Sequence, residues 1–454
     1  MTQFGCNPCG KSELDLESVP FTQVAIADDY WLTTGPKSAL DNSGPLEFVI
    51  SSSGDDYLDL NELYVRMRLR IAHLDKSPIK HFEYTGDREN IDTTQGRCDQ
   101  VSVAPVNLAF HSLWKQVDFI INDVLVSSSQ DTYSYRALLS TLLSYSNNVK
   151  STWLKHMEGF RWDDPGKYDS AENSALDWGA KYQALNGNVF ELKSKLHIDM
   201  TLQDRLLPNG TEVKIVLTRS NPEFFLMSFE PSAKPYTVIL EAASVDVRRV
   251  KLAPEEQIRL EKVISTHGAT YPVNHVITKS FTVSSGTSTI ELDNVFTGQL
   301  PSKVFLGLVK NAAFHGSYSL NPYNFVRAGL TFACLNVDGK QVPSRGYECD
   351  FHRGSFIDAF HGLHKNCGSY GANWSNGIDR AQFIGGCFIL GFDLTPDESG
   401  NGGAHVTQRR LGCVKASLRF EKALTSTMSV IFMAEFDNTV YLDRNRSVTY
   451  DYTL

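Results

Sequence analysis

The sequence predicts an all-β chain of two tandem jelly rolls, each an antiparallel β-sandwich, with a few short inserted helices. Three observations predict it. Short segments alternate apolar and polar residues with a strict period of two. Similar segments recur in the same order in both halves, and long Gly-, Asn-, Ser- and Asp-rich stretches separate them.

The alternation is plainest in LYVRMRLRI. There Leu63, Val65, Met67, Leu69 and Ile71 fall on one side of a strand and Tyr64, Arg66, Arg68 and Arg70 on the other. Further strands are expected at 46–52, 117–126, 212–218, 237–250, 303–309, 329–337, 387–394, 414–420 and 428–436. Two segments read as helices. YRALLSTLLSY (135–145) sets Leu138, Leu139, Leu142 and Leu143 on one stripe, and SFIDAFHGLHK (355–365) does the same with Phe356, Ile357, Phe360 and Leu363.

The repeat rests on three matches. FVISSSGDDYLDLNEL from Phe48 is similar to FTVSSGTSTIELDNVF from Phe281. IINDVLVSS, with Asn122 and Val126, is similar to CLNVDGKQVPS, with Asn336 and Val342, and a helix comes after each. VKIVLTRSNPEFFL from Val213 is similar to SVIFMAEFDNTVYL from Ser429, and the offsets run from 214 to 233 residues. The implication is two copies of one β domain, divided near 251–266, where Pro254 and an acidic first turn mark a linking helix. The expected organisation is an N-terminal arm over 1–43, a first roll over 44–252, and the linking helix and second roll over 253–454. Long polar loops are expected at 76–100, 160–188, 366–377 and 395–408.

GCNPCGKS (5–12) fits the phosphate-binding pattern G-x-x-x-x-G-K-[ST]. A P-loop needs a buried strand feeding a glycine-rich turn into a helix, yet only four residues precede Gly5 and Pro20 interrupts the segment after Ser12. Gly10, Lys11 and Ser12 are therefore read as coincidence. Cys6 and Cys9 lack the second ligand pair that a zinc site needs.

Composition narrows the classes. Forty-three basic and 52 acidic residues give a net charge of −9, poorly suited to wrapping nucleic acid. The arginine stripe of 66, 68 and 70 reads as a solvated or subunit-facing sheet surface. No apolar run approaches the ~18 residues of a membrane span, and the polar N-terminus is unlike a signal peptide. Eight scattered cysteines suit reduced thiols, so the sequons at Asn209, Asn373 and Asn445 carry no weight.

Catalysis has one tempting cluster, His111–Ser112 with Asp118. On a strand, neighbours point to opposite faces, so His111 would not serve Ser112 as a base, and a structural role is expected. Asp350 with His352, and His361 with His364, have metal-ligand spacing without a supporting carboxylate pair. The expectation is a chain with no catalytic, cofactor or metal site. A carbohydrate- or receptor-binding β-sandwich shares the fold class, but its usual secretion signal is missing.

The segment APVNLAFHSLWKQVDFIINDVLVSSSQDTYSYRALLSTLLSYS (104–146) resembles a signature of the double jelly-roll, hexon-like major capsid proteins of Polinton elements, adintoviruses and adomavirus-like viruses. In that family P-V-N-x-x-x-H-S-L leads into V-D-x-x-x-N and then T-Y-x-Y-R-x-x-x-x-x-L-L. The matching positions are Pro105, Val106, Asn107, His111, Ser112, Leu113, Val117, Asp118, Asn122, Thr132, Tyr133, Tyr135, Arg136, Leu142 and Leu143. Segments 196–220 and 433–448 are similar to the family too.

The resemblance implies a structural role for Pro105, Asn107, His111, Val117, Asp118, Asn122, Tyr133, Tyr135 and Arg136. It also implies a homotrimer of pseudo-hexagonal outline, neighbouring trimers tiling an icosahedral shell around DNA, and penton and minor capsid proteins as partners. No sequence-specific nucleic-acid contact is implied. The product would reside in the virion, after synthesis in the host cytoplasm and assembly there or in the nucleus. Part of the aromatic content, 11 % of residues, would then lie between subunits, and loops 160–188 and 366–408 would face outward or clasp neighbours. A vertex (penton) protein of the same virus type would need only one roll, against the two-copy pattern.

Overall fold

The computed structural model describes residues 23–40, 44–52, 54–76, 103–175, 189–229, 235–401 and 407–452. The first roll contains β1 (Ile26–Thr34), β2 (Leu46–Ser51), β3 (Tyr57–His73), β4 (Trp114–Ile121), β5 (Val124–Ser128), β6 (Val189–Ser194), β7 (Glu212–Arg219) and β8 (Tyr236–Leu252). They form two antiparallel sheets, β1-β8-β3-β6 and β2-β7-β4-β5. The second roll contains β9 (Ala269–Val283), β10 (Thr289–Gln299), β11 (Lys303–Lys310), β12 (Leu330–Val337), β13 (Lys340–Glu348), β14 (Ile389–Asp393), β15 (Leu411–Phe420) and β16 (Met428–Leu442). Its sheets are β9-β16-β11-β14, with a short added strand Val448–Tyr450 paired to β16, and β10-β15-β12-β13. Adding eight to each strand number of the first roll reproduces the second, so both are eight-stranded jelly rolls.

Each roll closes over the alternating faces expected from the sequence. Leu63, Val65, Met67, Leu69 and Ile71 of β3 are buried in the first core. The arginines point outward and each meets a carboxylate: Arg66 with Glu191 at 3.2 Å, and Arg68 and Arg70 with Glu241 at 3.5 and 3.3 Å. That paired, solvent-facing surface is not a free basic stripe, and such exposed pairs add little stability.

Three expectations need correction. Residues 26–34, placed in the arm, form β1 and hydrogen-bond along β8, so the first roll starts before residue 44. The expected strand 117–126 is a hairpin: Asn122 and Asp123 adopt φ of 46° and 63°, and Ile121 pairs with Val124. Two of the three repeat matches are one strand out of step. The 48–63 segment spans β2 into β3 while its partner spans β9 into β10, and Val213 lies on β7 while Ser429 lies on β16. The hairpin match is sound, although the turn equivalent to Asn122–Asp123 is Asp338–Gly339 and not Asn336. Strands that share an alternating pattern resemble one another, so similarity found the duplication without fixing its register.

Three helices accompany the two rolls. α1 (Tyr133–Ser144) and α3 (Ile357–Asn366) hold equivalent places in chain order, after β5 and after β13, but α1 packs on β4 and β9 and α3 on β14 and β13. Leu138, Leu139, Leu142 and Leu143 of α1 are buried as expected. In α3, Leu363 is buried and Phe360 half-buried, but Ile357, assigned to the apolar stripe, is 63 % exposed. The linking helix α2 (Pro254–His267) starts with Pro254 and two glutamates in its first turn. It ends at Gly268, whose φ is 72° and where a Cβ would lie 2.5 Å from the Leu442 carbonyl oxygen.

Candidate functional site at the joint between the two rolls

Signature residues build a buried polar cluster in the first roll. Pro105 lies in a two-residue strand, Ala104–Pro105, paired with Leu226–Met227, and its carbonyl accepts from the Arg161 guanidinium at 2.8 Å. Asn107 Oδ1 accepts the backbone N–H of Leu108 at 2.7 Å and of Arg161 at 2.8 Å, and its amide donates to the Arg161 carbonyl. These bonds hold Leu108 at φ 54° and start a short helix, Ala109–Ser112.

His111 therefore sits on a helix and not on a strand, so its partners are set by direct geometry and not by the opposite faces of a strand. Its Nδ1 lies 2.9 Å from the Tyr133 hydroxyl, and its Nε2 lies 3.3 Å from Ser194 Oγ and 3.4 Å from the Glu158 carboxylate. Ser112 Oγ turns back to the Ala109 carbonyl instead. Asp118 on β4 accepts from Gln116 and from Ser128 at 2.6 Å. The structure thus keeps Ser112, His111 and Asp118 in three separate hydrogen-bond sets. Ser194 and Glu158 meet the same ring nitrogen, so they do not form a relay across the imidazole either. His197 packs edge-on to His111 at 4.8 Å, and burial pulls its pKa well down, which keeps it neutral. Val117 is core in β4 and its N–H donates to Ser129 Oγ at 2.8 Å.

The remaining signature residues reach the second roll. Arg136 of α1 donates to Asp199 Oδ1 at 2.6 Å, and the other oxygen of Asp199 lies 2.7 Å from Nδ1 of His275 on β9. Burial pushes the Asp199 carboxyl up, but Arg136 and His275 outweigh it and hold the pKa below 3.8. Tyr135 donates to the Pro322 carbonyl at 3.0 Å, and its ring stacks on Phe314 and meets Tyr323 edge-on. Thr132 donates to the Thr278 carbonyl at 3.1 Å. Asn122, at the hairpin turn, donates to the Arg446 carbonyl at 2.7 Å, and the Arg446 guanidinium binds Asn209 and Glu261 of the linking helix. Tyr452 donates to the Val126 carbonyl at 2.8 Å.

Three further contacts, unforeseen in the sequence, reinforce the joint. Lys150 is buried and donates to the Leu142 carbonyl at 2.7 Å and the Asn376 carbonyl at 2.6 Å, with Trp162 below it. Burial pulls its ammonium down to about 7. Asp163 accepts from Asn173 at 2.7 Å and from Asn321 of the second roll at 3.2 Å, and burial pushes its carboxyl up to about 6. Tyr168 lies against Gly386, its hydroxyl 3.1 Å from Cys387 Sγ. Lysine and carboxylate partners distant in sequence carry no local signal, which is why pattern reading missed Glu158, Asp199 and His275.

The metal-like spacings have other partners. His364 bonds Ser369 and the Ile378 carbonyl, His361 packs on Tyr370, and Asp350 accepts the N–H groups of His352 and Arg353 in a turn. Among the described residues no group of three His, Cys, Asp or Glu could hold a metal ion. Cys334, Cys349, Cys367, Cys387 and Cys413 are free thiols. The GCNPCGKS stretch and Cys98 lie outside the described residues.

No model of a known protein family matches the chain. It is 26 % identical over 436 residues to Uncharacterized protein F54H12.2 of Caenorhabditis elegans, covering 95 % of this chain and 99 % of that one. Among solved structures it is similar to a chain of the Sputnik virophage, with a TM-score of 0.63, 13 % identity and coverage of 97 % and 91 % of the two chains. The PBCV-1 virus capsid gives a TM-score of 0.57 at 10 % identity, covering 96 % of this chain and 100 % of that one. The Faustovirus major capsid protein gives 0.56 at 10 % identity, covering 93 % and 92 %. The fold of this chain, across both rolls, is therefore that of double jelly-roll viral major capsid proteins.

Proposed function

We propose that the chain is a major capsid protein of the Polinton, adintovirus and adomavirus-like kind. Three copies close into a trimer with a pseudo-hexagonal outline, and trimers tile an icosahedral shell around a DNA genome, meeting penton and minor capsid proteins. The product belongs in the virion, with assembly in the host cytoplasm or nucleus. It acts by contact surfaces and not by catalysis.

One observation carries this reading: the two rolls repeat one strand order and are locked by a buried polar joint into one unit. Two similar rolls per chain let a threefold assembly present six similar sides, which suits tiling. The likeness to capsid proteins over 93 % or more of the chain supports it, as does the signature segment supplying the joint.

Size-exclusion chromatography with light scattering tests the reading. The expected species is three times the chain mass of 50.7 kDa, about 152 kDa, persistent on dilution and hexagonal in electron micrographs. A 50.7 kDa monomer at micromolar concentration overturns it.

A further inference from the structure

β9 and β10 are the edge strands of the two sheets of the second roll, and between them lies an open cavity of about 660 Å³. That volume falls within the ~300–1,000 Å³ of sites that take small molecules. Ile277 of β9, Phe296 of β10, Leu411 of β15 and Phe436 of β16 give it apolar walls. Tyr452 lines it too, with its ring stacked on His275 at 4.1 Å, and the first roll contributes Ser129 and Thr132.

One residue of this wall breaks the pattern of its strand. Along β9 the alternation sets Tyr271, Val273, His275, Ile277, Lys279 and Phe281 on one side, the side that faces the opposing sheet. Lys279 thus stands where the period calls for an apolar residue. Its ammonium lies 5.0 Å from the centre of the Phe296 ring and donates to the Val295 carbonyl at 3.2 Å, which uses one of its three hydrogens. The other cations of the wall are neutralised, Arg136 by Asp199 and Arg409 by Asp451. Lys279 meets no carboxylate among the described residues, and burial alone pulls its pKa below the ordinary 10.5. In the same wall His275, with Nδ1 engaged by Asp199, leaves Nε2 buried without a partner, and Asn438 does the same with Oδ1.

We propose that this cavity binds an amphipathic carboxylate, with its apolar body against Ile277, Phe296 and Phe436 and its anionic head on the Lys279 ammonium. The head supplies the countercharge that the chain does not, in surroundings where apolar walls leave the attraction poorly screened. A single cation suits a monoanion, since a second negative charge would be desolvated without a partner. Water carried in by the head group can meet His275 Nε2 and Asn438 Oδ1. The site lies within one chain and does not depend on the trimer. Because Thr132 belongs to the first roll and Tyr452 donates to the Val126 carbonyl, a guest would touch the joint between the rolls and stabilise it by mass action.

Calorimetric titration of the full chain with decanoate at neutral pH tests the site, with decan-1-ol as the same chain lacking the charge. Decanoate is expected to bind saturably and to raise the melting temperature, and the alcohol to bind at least about tenfold more weakly. Lys279→Met should weaken decanoate by a similar factor and leave the alcohol unchanged, whereas Lys279→Arg, which keeps the charge, should retain binding. Raising the pH until Lys279 loses its proton should weaken decanoate in the unmodified chain and not in K279M. If K279M fails to fold, the comparison of acid with alcohol and its pH dependence in the unmodified chain still decide the matter. No saturable binding, an alcohol that binds as tightly as the acid, or a K279M chain with unchanged affinity would overturn the site. None of these outcomes bears on the capsid reading, which the sizing measurement tests separately.

Discussion

Replacing Arg136 with methionine removes the guanidinium opposite Asp199 and leaves a carboxylate inside the joint. Asp199 keeps His275 at 2.7 Å and the Val276 N–H at 3.3 Å, but loses its only guanidinium contact among the described residues, 2.6 Å away. Breaking a buried pair from one side costs about 3–5 kcal/mol, because the remaining charge is uncompensated. In a chain of this length one kcal/mol moves a melting midpoint by about 1–2 °C, so the first calorimetric transition of R136M should fall by about 3–10 °C at pH 7. The double variant R136M/D199N removes the stranded charge and should recover most of that loss. Because the folded-state pKa of Asp199 is depressed, the joint's contribution is complete above the ordinary value of 3.8 and fades as pH falls through the folded value. The gap between the unmodified chain and R136M should therefore hold from neutral pH down to about 3.8 and narrow below it. A single variant melting within about 1 °C of the parent, or a double variant no better than the single, would refute the reasoning.

Lys150 gives a pH dependence of the other kind. Its folded value of about 7 lies below the ordinary 10.5, so between them the unfolded chain holds more protons and stability rises with pH. Relative to K150M, the parent should gain melting temperature from pH 7 to pH 9, and a flat difference would contradict the burial of a charged ammonium. Gly386→Ala would place a Cβ 2.2 Å from the Tyr168 ring at a φ of 149°, and a loss of about 3 kcal/mol or more in denaturant unfolding is expected. Asn107→Ala strands the N–H groups of Leu108 and Arg161 and should cost about 2–4 kcal/mol by the same measurement, against about 1 kcal/mol for Tyr135→Phe, which loses one bond to Pro322.

Most of the sheet was legible because a half-buried strand writes its environment into alternate residues, as β3 does. β1 was not legible: it is an edge strand, only Ile26, Leu32 and Thr34 are even partly buried, and IADDYWLTT shows no alternation to read. The hairpin at Asn122–Asp123 was hidden because both flanks are apolar and neither turn residue is glycine. Ile357 was misplaced because helical spacing predicts a stripe, whereas the first residue of a helix lies at its rim and can face outward. For the joint, one side was readable from the signature segment. The other was not, since Asp199 and His275 come 63 and 139 residues after Arg136, and nothing local marks them as its partners.

The separation of the joint's halves along the chain bears on how the protein is made. Tyr452 meets Val126 across 326 residues, an interval that takes a ribosome about 16–65 s at 5–20 residues per second. From the completion of the first roll at Leu252 until β16 (Met428–Leu442) is made, the first roll carries α1 with its partner surface unfinished. Any finished copy nearby could offer an equivalent surface. The covalent link through α2 decides the competition, because it holds the correct second roll at a local concentration that separate molecules do not reach in the cell. Fusing the two rolls in one polypeptide thus fixes which neighbour each first roll acquires, and leaves only the contact between chains to depend on how much protein has accumulated.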